Sequence, residues 1–286
     1  MSKVFLVTGT SRGLGLRIAE AVLAAGHSLV ATARSPRLPA ELTERYGDRV
    51  RQVPLDVTDL AAAEAAVRTA VEAFGRLDVV VNNAGYANLV AIEDITAEDF
   101  RAQIDTNLLG VVNVTKAALP VLREQGSGHI IQIASVGARV TTPGLSAYQA
   151  AKWAVTGFSE VLAQEVAPLG IKVTVLEPGG MRTDWAGSSM SIPPVSEPYR
   201  PTVGALADRF AAGTIAAAGD PAKVADVVLT VTELEQPPVR LLLGSDAVRY
   251  AAAVEQARAE SDARWRDLSL STDHDTATEA ELSPLG

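Results

Sequence analysis

Cysteine is missing from the chain, and histidine occurs only at His27, His129 and His274. The first absence excludes a disulfide scaffold, a thiol nucleophile and thiolate metal ligands. The scatter of the histidines offers no metal-ligand cluster. A basic excess is also lacking: 25 Lys+Arg against 34 Asp+Glu leave a net charge of −9, so a surface that coats nucleic-acid phosphates is not expected. No apolar run approaches the roughly 18–20 residues that span a bilayer. The opening Lys3-Val4-Phe5-Leu6-Val7 run breaks at once at Thr8-Gly9 instead of continuing as a signal peptide. A cytoplasmic protein with neither a nucleic-acid nor a membrane partner is therefore the expectation. Aromatics are sparse at 5%, but 48% hydrophobic and 21% charged residues over 286 positions make a globular balance. That length suits one large α/β domain.

Short apolar runs alternate with helical patterns. The runs at residues 3–8, 28–33, 50–54, 77–82, 129–134, 171–176 and 239–243 predict about seven strands of a parallel sheet covered on both faces. Between them, Leu60, Ala63, Val67, Ala70, Val71 and Phe74 recur at helical spacing after Asp59 and stop at Gly75. Thr96 and Asp99 form a capping-box pattern that opens a long helix toward Arg123. This alternation calls for right-handed crossovers and a Rossmann-type doubly wound α/β fold in a single domain, residues 1–266. Residues 184–210, with Pro193, Pro194, Pro198 and Pro201, break the rhythm and read as a substrate lid with a helix near its end. Residues 247–266 read as an added helix. Residues 267–286 carry five acids and no Lys or Arg, the pattern of a flexible, solvated tail.

The first strand runs into Thr8-Gly9-Thr10-Ser11-Arg12-Gly13-Leu14-Gly15, and a helical pattern follows. Glycines at 9, 13 and 15 allow a tight turn whose N–H groups approach a pyrophosphate at a helix N-terminus. A site that reads the ribose 2′-OH places an acid about 20 residues on. Ala33-Arg34 stands there instead, and Arg34 with Arg12 suits a 2′-phosphate, so the expected cofactor is NADP(H). Gly9 to Gly13 also spells G-x-S-x-G, the nucleophile elbow of a hydrolase. The three histidines are poorly placed to serve Ser11, and an elbow on the first strand has no preceding loop to donate an oxyanion hole.

Tyr148 and Lys152 lie one helical turn apart on one face. Ser135 follows the strand at 129–134, where an open α/β sheet presents its ligand crevice. With these residues in place the chain resembles the short-chain dehydrogenase/reductases, in their compact single-domain subclass. Thr8–Gly15 is similar to that family's glycine turn, Asp56-Val57 to its adenine-side contact, and Asn82-Asn83-Ala84-Gly85 to the motif ending its fourth strand. Asn107, Ser135, Tyr148 and Lys152 correspond to its catalytic tetrad, and Pro178-Gly179 with Thr183 to the segment holding the nicotinamide carboxamide.

The resemblance implies a carbonyl reductase. Tyr148 acts as general acid, Lys152 and the oxidised nicotinamide favour its phenolate, Ser135 positions the carbonyl, and Asn107 anchors a relay water. It also implies a homodimer or homotetramer built on the helices at 96–123 and 148–166. Substrate walls are expected from Leu89, Val136, Val140, Leu145, Trp185, Met190 and Ile192, an apolar set, with Arg139 and Arg182 as the available anion anchors. Two other readings fit part of the pattern. A non-catalytic NADP(H) sensor would discard the phenol or the lysine, and a nucleotide-sugar epimerase would carry a different glycine spacing and a larger C-terminal domain.

Overall fold

The computed structural model describes residues 2–183, 190–215 and 217–282. In chain order its elements are β1 (Val4–Thr8), α1 (Gly13–Ala24), β2 (Ser28–Ala33), α2 (Ala40–Tyr46), β3 (Val50–Pro54), α3 (Leu60–Phe74), β4 (Val79–Asn82) and β5 (Ala87–Asn88). There follow α4 (Ala97–Ile104), α5 (Gly110–Gln125), β6 (Gly128–Ile133), α6 (Ser146–Val166), β7 (Ile171–Pro178) and β8 (Met190–Ser191). The C-terminal part holds α7 (Ala205–Ala211), α8 (Pro221–Glu233), β9 (Arg240–Leu243), α9 (Ser245–Leu270) and α10 (Glu279–Leu282).

Alternation along the strands builds two cores. Phe5 and Val7 of β1 join Val79 and Val81 of β4 against Ile18, Val22 of α1 and Val224, Val228 of α8. Val4 and Leu6 turn the other way, with Val80, onto Ala63, Val67 of α3, Val114, Leu122 of α5 and Leu162 of α6. A two-residue strand period thus places helices on both faces of one sheet. The seven strands are parallel in the order β3-β2-β1-β4-β6-β7-β9. From β1 the chain winds outward through β2 and β3, then restarts at β4 on the other side. The strand order therefore reverses between β1 and β4, and a crevice opens there at the carboxyl ends of the strands. A short parallel pair, β5 with β8, ties the segment after β4 to the segment after residue 189.

All seven expected strands are present, and their shifted ends have local causes. The run at 77–82 enters the ladder only at Val79 as a regular strand, because Leu77 exchanges both backbone hydrogen bonds with the Gln125 side chain. β7 extends to Pro178 because Glu177 and Pro178 pair in register with Leu242 and Leu243 of β9. Asp59 and Thr96 cap α3 and α4 as their spacing predicts.

The long helix expected from Thr96 to Arg123 is interrupted. Asp105–Leu109 forms a π turn, and Asn107 Nδ2 donates to the Gln103 carbonyl at 2.9 Å. That carbonyl is the acceptor that the residue-107 N–H would take in a regular α-helix. At the C-terminus α9 runs to Leu270, so residues 267–270 of the expected acidic tail are helical. No glycine or proline interrupts residues 245–270 to stop it. Among the described residues no helix is long and apolar enough to cross a membrane.

The fit of α5 against the loop after β3 depends on Gly110, where an added Cβ would meet Val57 Cγ2 at 2.4 Å. Gly110→Ala is expected to cost about 1–3 kcal/mol of stability in urea unfolding, even after alanine's helix propensity is counted. With Val57→Ala added, the double variant should lose less than the sum of the two single losses. Strict additivity would show that the two residues do not meet.

Candidate active site

The glycine turn is held from β4. Asn83 donates through Nδ2 to the carbonyls of Thr8 at 2.8 Å and Gly9 at 3.3 Å, while Thr8 Oγ1 accepts the N–H groups of Asn83 and Ala84. Asn83, expected among the cofactor contacts, therefore spends its amide on the turn itself. Gly9 and Gly13 hold φ of 73° and 55°, a region that favours glycine. Gly15 is required for another reason: a Cβ there would lie 2.1 Å from the Gly9 carbonyl oxygen. Leu14 buries its side chain in the core and leaves only its main chain to the turn. α1 then opens with no side-chain cap and no acid in its first turn. Its first N–H groups thus remain an anion-binding end.

Ser11, Arg12 and Arg34 are exposed around this turn, Arg34 directly after β2. No acid stands at the end of β2. Asp56, after β3, accepts both the N–H and the hydroxyl of Thr58, which hold its carboxyl below the usual range, with a smaller contribution from the Arg34 charge. Arg34 and Asp56 thus share one edge of the crevice. Val57 beside them is buried.

The four residues of the candidate tetrad converge beside the turn. Ser135 follows β6 and caps a short 3-10 turn, its Oγ accepting from Gly137 N at 3.0 Å. Tyr148 and Lys152 lie on the first two turns of α6, and their side chains meet with Nζ 5.7 Å from the phenol ring centroid. Lys152 Nζ donates to the Ile133 carbonyl at 2.8 Å. The Ser135 hydroxyl lies near enough to the Tyr148 phenol to favour its ionised form. Gly85 lets Asn107 and Lys152 approach: a Cβ on Gly85 would stand 2.5 Å from Asn107 Oδ1 and 3.7 Å from Lys152 Nζ.

Two expected properties of this group change. Within the protein, burial pushes Tyr148 up to about 12, and the Ser135 hydroxyl opposes this only in part. Burial also lowers Lys152 to about 8. Removal from water outweighs the mutual attraction of ammonium and phenolate here. Asn107, expected to anchor a water, has both amide hydrogens committed, to the Tyr86 and Gln103 carbonyls. Its Oδ1 accepts from Tyr86 N, and its main chain lies in the π turn, where the regular helical bonding is broken.

The expected substrate wall divides. Val136 and Val140 are half-buried beside Ser135, and Ile192 is more exposed. Leu145 and Met190 belong with Leu89, Val203, Ala207 and Tyr148 to one apolar cluster, so the segment after residue 189 shares a core with the phenol-bearing residue. Trp185 falls outside the described residues. Arg139 is no free anion anchor, because Glu177 and Glu255 hold it at 2.7 and 2.6 Å. Arg182 donates to the Ala217 carbonyl. A surface groove of about 540 Å³ along α4 is lined by Ile95, Phe100 and Ile104 and contains none of these residues.

Pro178 ends β7, and Gly179 N bonds the Leu243 carbonyl. Gly180 N donates to Asp246 Oδ2 at 2.8 Å, and Thr183 N bonds Met181 O. Asp246 escaped sequence reasoning, as did Gln149, which is buried beside Tyr148 and bonds Val140 O and Thr142 N. Neither belongs to a local pattern; a buried polar side chain announces itself only once its partner is placed. The hydrolase elbow fails for the reverse reason. His27, His129 and His274 bond Lys3, Thr174 and Thr276, leaving Ser11 without a base. No cluster of metal-ligating side chains occurs among the described residues.

Comparison with known proteins agrees with this geometry. The family model for short chain dehydrogenase matches residues 3–191. Oxidoreductase BOA17 of Botryotinia fuckeliana is 56% identical over 273 residues, covering 95% of this chain and all of that one. A short-chain dehydrogenase structure from Streptomyces avermitilis superposes with a TM-score of 0.89 at 36% identity, over 96% of this chain and all of its own. An alcohol dehydrogenase from Thermococcus sibiricus, complexed with 5-hydroxy-NADP, is 28% identical with a TM-score of 0.69, over 85% and 96% of the two chains. A 3-ketoacyl-(acyl-carrier-protein) reductase from Brucella melitensis, complexed with NADH, is 26% identical with a TM-score of 0.71, over 84% and 96%. A parallel sheet reversing at β1/β4, a glycine turn clipped by Asn83, and a Ser–Tyr–Lys group at the end of β6 thus coincide with the matched sequence: this chain is an oxidoreductase of the short-chain dehydrogenase/reductase family.

Proposed function

We propose that the chain interconverts a ketone or aldehyde and an alcohol with NADP(H), acting as a reductase of an apolar carbonyl compound. The observation that carries this reading is the convergence of Ser135, the buried Tyr148 phenol and the buried Lys152 ammonium at the end of β6. The residues fit a dinucleotide: an uncapped α1 N-terminus follows glycines of positive φ, and arginine replaces an acid after β2. Gly9 to Gly15 would hold the pyrophosphate and Arg12 with Arg34 a 2′-phosphate. Asp56 and Val57 would border the adenine, Ala84 and Gly85 the ribose side, and Pro178, Gly179 and Thr183 the carboxamide. A reduced nicotinamide bound there supplies the hydride.

The chain's own groups handle the proton. Tyr148, neutral because it is buried, gives its proton to the carbonyl oxygen as negative charge develops there. Ser135 donates a hydrogen bond to the same oxygen. Lys152 lies against Tyr148 and Gly85, where its charge stabilises the phenolate left behind and its remaining N–H groups can restore the proton. Val136, Val140, Leu145 and Met190 supply apolar walls, which favours an aliphatic, aromatic or polycyclic carbonyl compound over a charged one. Exposed Leu109 and Val161, on the faces of the central helices, support assembly as a homodimer or homotetramer.

Three measurements test the reading. Tyr148→Phe should lower kcat on a carbonyl panel by about 10²–10⁴, with NADPH affinity in fluorescence titration unchanged; retained turnover would reject the assignment. Arg34→Asp should shift the NADPH/NADH ratio of kcat/KM by about tenfold or more toward NADH, the worth of one charge-assisted pair. A wild-type enzyme that already prefers NADH would defeat the phosphate reading. The pH profiles should run in opposite directions. Phenol and ammonium are both protonated below about 8, so reduction should slow as pH rises through that value. Alcohol oxidation, which needs the phenolate, should instead rise with pH toward about 12, where the phenol loses its proton.

A further inference from the structure

α9 is a helix with little apolar hold on the body. Only Ala247 and Ala251 are buried, and its residues from Glu255 to Leu270 are exposed. Among the described residues its polar contacts to other segments are few and fall on segments that flank the candidate active site. In its first turn Asp246 Oδ2 accepts Gly180 N at 2.8 Å, and a Cβ on Gly179 would strike the same carboxylate at 2.3 Å. Nine residues on, Glu255 Oε1 accepts from Arg139 Nη1 at 2.6 Å. One turn later Arg258 Nη2 donates to the Arg139 carbonyl at 2.8 Å, and its guanidinium lies 4.6 Å over the ring of Trp153, the residue after Lys152. Positions 255 and 258 share one helix face.

Arg139 joins these contacts to the sheet. It sits between Ser135 and Tyr148, and its Nε donates to Glu177 Oε2 at 2.7 Å. Glu177 is fully buried at the end of β7, two residues before Gly179, and Arg240 satisfies its other oxygen at 2.6 Å. The loop between Ser135 and Tyr148 is therefore tied both to the end of β7 and to the C-terminal helix, and the same helix holds the Gly179-Gly180 turn. Glu255 is largely exposed, so its pair adds little to global stability. What it fixes is the place of a loop.

We propose that α9 is a clamp on the active site, in which Asp246 sets the Gly179-Gly180 turn while Glu255 and Arg258 set the loop between Ser135 and Tyr148. All three are positioning residues. They touch neither reactant, and they act through the segments that do. The proposal rests on the reading of Ser135 and Tyr148 given above. Small displacements of such segments matter because reactant alignment is steep in distance.

The test uses the full-length protein with Arg258→Ala and Arg258→Lys, Asp246→Ala and Asp246→Asn. Arg258→Ala should raise KM for the carbonyl substrate about five- to tenfold, the worth of one polar contact. NADPH affinity and the unfolding midpoint should stay at wild-type values. Amide exchange should quicken in residues 136–145, and lysine, which keeps a donor, should restore part of the KM. Asp246→Ala should weaken NADPH about fivefold, and asparagine, which keeps an acceptor, should restore it. Exchange that quickens only within residues 255–270, with KM unchanged, overturns the clamp. A wild-type protein that reduces no carbonyl in the panel overturns the reductase reading alone; exchange at 136–145 then still decides whether α9 holds the loop.

Discussion

Lys152 is 4% exposed, and its ammonium donates to the carbonyl of Ile133 at the last position of β6. That bond fixes the first turns of α6 against the mouth of the sheet, and the remaining site geometry follows from it. With Lys152 tied there, Tyr148 one turn earlier faces Ser135, which β6 delivers two residues past the same carbonyl. A buried ammonium is costly unless it is hydrogen-bonded. The helix therefore cannot slide along the sheet without leaving that charge stranded.

Burial sets the chemistry as well as the position. The same desolvation lowers Lys152 to about 8 and raises Tyr148 to about 12. Opposite shifts on neighbouring groups make each readier to be neutral. A phenol that holds its proton is suited to giving it up only when charge develops on an acceptor, which is the demand on a general acid in carbonyl reduction. The apolar cluster that Leu89, Leu145, Met190 and Val203 form with Tyr148 maintains that condition by excluding water.

Around this centre, polar side chains serve as fasteners more than as reactants. Asn83 clips the glycine turn, Asn107 rebuilds the helix register between α4 and α5, and Gln149 pins Val140 and Thr142. Glu177 gathers Arg139 and Arg240 at the end of β7. Each satisfies a backbone or charged group that would otherwise be left without a partner where the chain changes direction.

Patterns of short range were open to reading in the linear chain. Short apolar strand runs, the glycines at 9, 13 and 15, the caps at Asp59 and Thr96, and the i, i+4 placement of Tyr148 and Lys152 are dictated by preferences within a few residues, and all seven strands and both caps are present. Other features required the folded chain. Arg139 looked like a free cation, yet its partners lie 38 and 116 residues away. Asn107 gave no local sign that it would take the Gln103 carbonyl and replace a straight helix with a π turn. Nor did the phenol of Tyr148 reveal that removal from water would outweigh the charge beside it. Local sterics and periodicity are encoded residue by residue, whereas partnership and solvent exposure are properties of the packed whole, and the second set decides what each charged or polar group is free to do.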